Sequence, residues 1–117
     1  MERNVIAAVD DIFFAAKIRA TAEHLGTRVH FSRDLQSIIN AARETKAALI
    51  IVDLHATRFD PLALAHTLKA DPHLNDIKLL GFFSHVQTAL MQQAQEAGYD
   101  RVLPRSAFTA RLAEILR

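Results

Sequence analysis

Short apolar runs alternate along the chain with longer stretches whose apolar positions recur every three to four residues. The runs at 5–9, 29–31, 48–52, 78–83 and 99–103 are too short for an ordinary helix. Most are rich in β-branched or aromatic residues, so they read as strands. Between them, 11–25 carries Ile12, Ala15, Ala16, Ile18, Ala22 and Leu25 at helical spacing, and Gly26 follows as a C-terminal stop. Segment 34–45 sets Leu35, Ile38, Ile39 and Ala42 on one face, and 61–70 opens with Asp60 before Pro61, an N-cap and first-turn pair. Segment 87–97 ends at Gly98, and 107–116 follows Ser106, a second N-cap candidate. The order is β-α repeated five times, which predicts an α/β domain with a parallel five-stranded sheet covered by helices on both faces. The uninterrupted apolar runs 49–52 and 79–83 are expected at the buried centre of that sheet. No linker or repeat divides the chain, so 1–117 is read as a single domain.

Composition leaves this picture standing and narrows the chemistry. Half of the 117 residues are hydrophobic and 23% are charged, as in an ordinary folded domain. The absence of cysteine excludes disulfides, thiol catalysis, iron–sulfur clusters and cysteine-based zinc sites. Lys plus Arg is 14 against 13 for Asp plus Glu, a net charge of +1 that gives no footing for nucleic acid or an anionic membrane as partner. Asp10 and Asp11 interrupt the first apolar run at once, so neither a signal peptide nor a membrane span is expected there. A reducing, cytoplasmic setting fits this chain. Its six histidines, His24, His30, His55, His66, His73 and His85, show no metal-ligand spacing. Most are expected to be exposed or half-buried, with His55 and His85 beside the sheet edge discussed next. Phe82 and Phe83 should pack on opposite faces of a central strand. Phe13 and Phe14 are neighbours on a helix, so one of them should border a pocket mouth or a partner surface.

Ligands of open α/β sheets bind outside the carboxyl ends of the strands. The residues standing there are Asp10-Asp11 after the first strand, Asp53 after the third, Ser84-His85 after the fourth and Arg105-Ser106 after the fifth. Clustered carboxylates repel one another unless a cation neutralises them, and a hard divalent ion such as Mg2+ takes oxygen ligands of this kind. A metal-bridged carboxylate beside a guanidinium and a hydroxyl is suited to holding a phosphoryl group. Capping of the following helix is the plainer role for Asp10 and Asp11.

The strings VIAAVDD (5–11), LIIVD (49–53), LLGFFS (79–84) and AGYDRVLPRSAF (97–108) resemble the receiver domain of two-component response regulators, in order and spacing, over nearly the whole chain. The resemblance implies the flavodoxin-like (βα)5 doubly wound fold and a signalling role rather than an enzyme's, with at most self-catalysed phosphoryl transfer and autodephosphorylation. Asp53 then matches the aspartate that accepts a phosphoryl group from a sensor histidine kinase or phosphotransfer protein. Asp10 and Asp11 match the acidic pair that holds Mg2+ together with Asp53 and the backbone carbonyl of His55. Ser84 matches the hydroxyl that turns toward the phosphoryl group, and Arg105 stands where a lysine usually pairs with it. The resemblance also implies a downstream protein target and a homodimer contact through the face of helix four, strand five and helix five. Ser106, Val102, Ala56 and Thr57 depart from the usual residues of the family. They motivate the alternative reading, a receiver-like module that binds a partner without phosphate. The chain stops at Arg117, which is compatible both with a stand-alone receiver and with a piece of a larger regulator.

Overall fold

The computed structural model describes residues 3–84 and 87–117. Five strands form one parallel sheet: β1 (Asn4–Ala8), β2 (Arg28–Phe31), β3 (Leu49–Asp53), β4 (Lys78–Phe83) and β5 (Arg101–Pro104). Their order in the sheet is β2-β1-β3-β4-β5. Six helices connect or follow them: α1 (Ile12–Leu25), α2 (Leu35–Thr45), α3 (Pro61–Ala70), α4 (Thr88–Ala97), α5 (Arg105–Ala110) and α6 (Leu112–Leu116). This is the flavodoxin-like (βα)5 arrangement, and the chain reverses its direction of winding between β1 and β3.

The side-chain period of two along each strand divides the core between two layers. Val5, Ala7 and Val9 of the first strand region join Ile51, Leu80 and Phe82 under α1, α5 and α6. Ile6 and Ala8 join Ile50, Val52 and Leu79 under α2, α3 and α4. Each fully buried Ile or Leu in such a layer stabilises the fold by about 1.5–3 kcal/mol relative to exposure. Phe82 and Phe83 are both buried, and Phe82 lies in the α1 layer. At Gly81 a Cβ would come within 2.9 Å of the Leu54 side chain, so the missing side chain lets the turn after β3 lie close against β4. The Leu54 N–H also donates to the Phe82 carbonyl at 2.9 Å.

Capping sets the rotation of the helices. Asp11 accepts from the Phe14 N–H at 3.0 Å, Asp34 from Ser37 at 2.9 Å and Asp60 from Leu62 at 2.9 Å. With the start of α1 fixed this way, Phe14, Ile18 and Ala22 face the sheet at four-residue spacing. Ile12, expected from the apolar pattern to face inward, is instead 74% exposed, and Phe13 is 89% exposed.

The last β-α unit departs from the sequence expectation. Its strand runs over Arg101–Pro104, because Tyr99 is drawn into the helix layer, where its hydroxyl donates to the Pro61 carbonyl at 2.8 Å. Ser106 is not an N-cap. Pro104, at φ −64° and ψ 151°, ends the strand in extended conformation, and the helix begins at Arg105 with no side-chain cap bond. Ser106 therefore lies inside the first turn. The helix also breaks at Arg111, where φ is −106°. The second piece then buries Leu112, Ile115 and Leu116 together, while Arg3 and Thr27 donate to its terminal carbonyls.

Candidate functional site

Strand register brings the candidate residues to one edge. Ala8 pairs with Val52, so Asp10 and Asp11 leave the sheet just beyond the level of Asp53. Asp53 pairs with Phe82, and Phe83 with Pro104, so Ser84 and Arg105 leave it side by side one residue further on. This is the carboxyl edge of the sheet, and Asp53 and the acidic pair flank the switch between β1 and β3, where open α/β sheets place their ligands.

Asp53 is half-buried at the end of a strand whose other four residues are buried. Its own turn holds it: the His55 N–H donates to Oδ1 at 2.9 Å, and the Ala56 N–H donates to the Asp53 carbonyl at 3.0 Å. Oδ2 makes no hydrogen bond or ion pair among the described residues. A carboxylate pinned through one oxygen leaves the other as a positioned nucleophile.

Asp11 is more heavily engaged. Oδ1 caps α1 and Oδ2 accepts from Arg105 Nη2 at 2.9 Å. The Phe14 N–H and then the Arg105 guanidinium hold its carboxyl below the ordinary carboxylate value of 3.8. Arg105 also lies over the Phe14 ring, 4.3 Å from its centroid. That ring belongs to a cluster: Phe14–Phe82 centroids are 5.1 Å apart, Phe14–Phe108 5.5 Å and Phe82–Phe108 4.9 Å. Sequence placed Arg105 against a phosphoryl group, and in this structure it bonds Asp11 rather than Asp53. Asp10 meets a second guanidinium, Arg58 Nε, at 3.7 Å. Nothing in the sequence pointed to Arg58, because it sits in an irregular loop and pairs with a residue on another strand end. Ser84 is exposed beyond β4, and His85 lies outside the described residues.

The donor chemistry of Asp10, Asp11, Asp53 and the His55 carbonyl is all oxygen, which suits a hard divalent cation. Both members of the acidic pair meet guanidinium groups, Asp10 that of Arg58 and Asp11 that of Arg105. Among the described residues no group of three His, Cys, Asp or Glu side chains is gathered to hold a metal ion. The donors therefore fit Mg2+ in kind, and Asp11 has to turn away from Arg105 to serve as one.

Two surfaces border the site. Exposed Ile12 and Phe13 stand on the first turn of α1, and a shallow cavity of about 290 Å3 beside them is lined by Phe13, Phe14, Lys17, Arg105 and Thr109. Of the pair Phe13 and Phe14, Phe14 is the core residue. On the other side α4 buries Ala94 and Ala97 and packs half-buried Leu90 against the same layer. Val102 of β5 packs against that layer. A wider cavity of about 540 Å3 lies at the opposite edge of the sheet, between Arg43 and Ile77, far from these carboxylates. Its Arg43 is already paired with Asp71 at 2.7 Å. No helix among the described residues is long and apolar enough to cross a membrane.

No protein-family model matches the sequence, and no curated protein matches it. Solved structures do. The chemotaxis response regulator CheY4 of Vibrio cholerae superposes with a TM-score of 0.85 at 16% identity, over 99% of this chain and 97% of that one. The signal receiver domain of a response regulator from Bermanella marisrubri gives 0.82 at 21% identity, over the whole of both chains. A response regulator protein from Burkholderia pseudomallei, solved with a phosphorylated aspartic acid, a calcium ion and citrate, gives 0.82 at 23% identity, over 98% of this chain and 66% of that one. The fold of this chain is that of response-regulator receiver domains.

Proposed function

We propose that residues 1–117 act as one phosphorylation-controlled receiver, in which Asp53 accepts a phosphoryl group from the phosphohistidine of a kinase or phosphotransfer protein. The observation that carries this reading is the Asp53 carboxylate itself, held by the His55 N–H through Oδ1 with Oδ2 left for attack. In the reaction Oδ2 bonds to phosphorus, the phosphorus–nitrogen bond to the donor imidazole breaks, and the imidazole leaves with the electron pair and takes up a proton. Transfers of this kind depend on positioning and charge stabilisation more than on covalent help. Asp10, Asp11, Asp53 and the His55 carbonyl would hold Mg2+, which when bound opposes the charge of the transferred group. The phosphorylated aspartate and calcium ion of the Burkholderia protein support this assignment by analogy of fold. Ser84 and Arg105, leaving the sheet together, would contact the phosphoryl oxygens.

Exposed Ile12 and Phe13 beside Asp11 form the surface on which a phosphodonor docks. The output surface is α4, β5 and α5, where the exposed polar face of α4 would engage a downstream protein or a second copy when the packing shifts. A cytoplasmic setting, without direct nucleic-acid binding, belongs to the same reading. Treatment with phosphoramidate and Mg2+, followed by rapid-quench intact-mass spectrometry, tests it. One phosphoryl adduct on the wild type and none on Asp53→Asn is expected, and an unmodified wild type would rule it out.

A second reading has its own observation. Arg105 is committed to Asp11 and Val102 offers no aromatic ring to switch, which favours a receiver-like module whose partner binds regardless of phosphate. Partner affinity unchanged by Asp53→Asn and by phosphodonor would select it.

A further inference from the structure

We infer that Arg105 is the resting occupant of the cation seat at Asp11, so that a divalent cation and the Arg105 guanidinium exchange for one carboxylate oxygen. The inference rests on the receiver reading only for the identity of the cation. Four observations place Arg105 in this role. Its Nη2 donates to Asp11 Oδ2 at 2.9 Å, while Oδ1 of the same carboxylate is committed to the Phe14 N–H. Asp11 has no second free oxygen to offer. The guanidinium carbon lies over the Phe14 ring, 4.3 Å from its centroid, a contact that helps to hold the side chain beside Asp11. Arg105 is the first residue of α5, directly after Pro104, so its backbone is fixed to the sheet edge and the exchange has to be made by the side chain. Arg58 meets the neighbouring Asp10 at the longer distance of 3.7 Å and is 60% exposed, so it is the weaker of the two stand-ins.

The arrangement makes cation binding and arginine release one event. A hard cation needs an oxygen of Asp11 without a guanidinium on it, and a freed Arg105 starts from the first position of α5, beside Ser84 at the sheet edge. Loading the acidic pair thus hands Arg105 to whatever anion Asp53 carries. It also uncovers the Phe14 ring, which joins α1 to Phe82 of β4 and Phe108 of α5.

The test is a Mg2+ titration of the full chain, followed by calorimetry and by the ring resonances of Phe14, with unfolding curves confirming that each variant is folded. The exposed pair should weaken Mg2+ binding by about 1.5- to fivefold, so Arg105→Gln should bind Mg2+ tighter by that factor. Arg58→Gln should gain less, since its pair is longer. Arg105→Lys keeps the charge but not the fork, and should fall between wild type and Arg105→Gln. Mg2+ should shift the Phe14 ring signals in the wild type and leave them still in Arg105→Gln, a response that mere repulsion at a distance does not produce. Equal or weaker Mg2+ affinity in Arg105→Gln, an equal gain in Arg58→Gln, or no Mg2+ binding in any of the proteins would overturn the exchange. Its failure is separable from that of the receiver reading: an affinity gain without any phosphoryl adduct removes the phosphoacceptor role and leaves the exchange standing.

Discussion

At the scale of single residues, two aspartates at one sheet edge differ because their oxygens have different partners. Asp53 spends one oxygen on its own turn, whereas Asp11 spends both, on the α1 N-terminus and on Arg105. Partners that stabilise the charged form lower the carboxyl value of Asp11. A lowered folded value means that its contribution is fully present above the ordinary value of 3.8 and is lost as pH falls through the lower folded one. Because the Phe14 N–H is the larger cause and Arg105 the second, Arg105→Gln should raise the Asp11 midpoint yet leave it below 3.8. Carbon-13 titration of the carboxyl signal measures this. A midpoint at or above 3.8 in the variant would show that the cap bond is not the larger cause.

At the scale of elements, helix starts decide which side chains reach the site. Asp10 and Asp11 had two readings in the sequence, cap and cation ligand. Asp11 serves as the cap in this structure, and its other oxygen carries the electrostatics. The start of α5 shows the reverse case, where a serine with good capping chemistry stands one residue too late because Pro104 turns the chain first. Asp60→Ala removes a cap that bonds Leu62 and Ala63, and should cost about 1 kcal/mol in urea unfolding. Ser106→Ala should change stability by less than about 0.5 kcal/mol, as for a surface position without a special role. A loss at Ser106 as large as that at Asp60 would mean that the helix begins later than Arg105. α4 stands apart from the other long helices, since its buried side chains are both alanine and its outer face carries Gln92, Gln93 and Gln95.

At the scale of the whole molecule, the fold was legible because a parallel sheet covered on both faces reads as short uninterrupted apolar runs, and β3 and β4 have that form. The edge strands were read less accurately. β5 carries only four residues and none of them is buried, so Tyr99 was counted into it although its ring belongs to the helix layer. The positions of the candidate residues were legible too, since each stands at the end of a strand or within three residues beyond it. Their partners were not. Arg105 and Asp11 lie 94 residues apart, and no local pattern tells whether a guanidinium at that edge turns to Asp11 or to Asp53. Ile12 was misread for a related reason, because periodicity gives the spacing of an apolar stripe while the Asp11 cap sets where the stripe faces.

All of these scales meet in the claim that the Asp53 carboxylate is the group that takes up phosphate. The most direct measurement reduces the phosphodonor-treated protein with borohydride, which converts an aspartyl phosphate to homoserine, and locates the change by peptide mass spectrometry. The account predicts homoserine at position 53, with Asp10 and Asp11 unchanged. Homoserine at either of those positions, or aspartate recovered intact at all three, would contradict it.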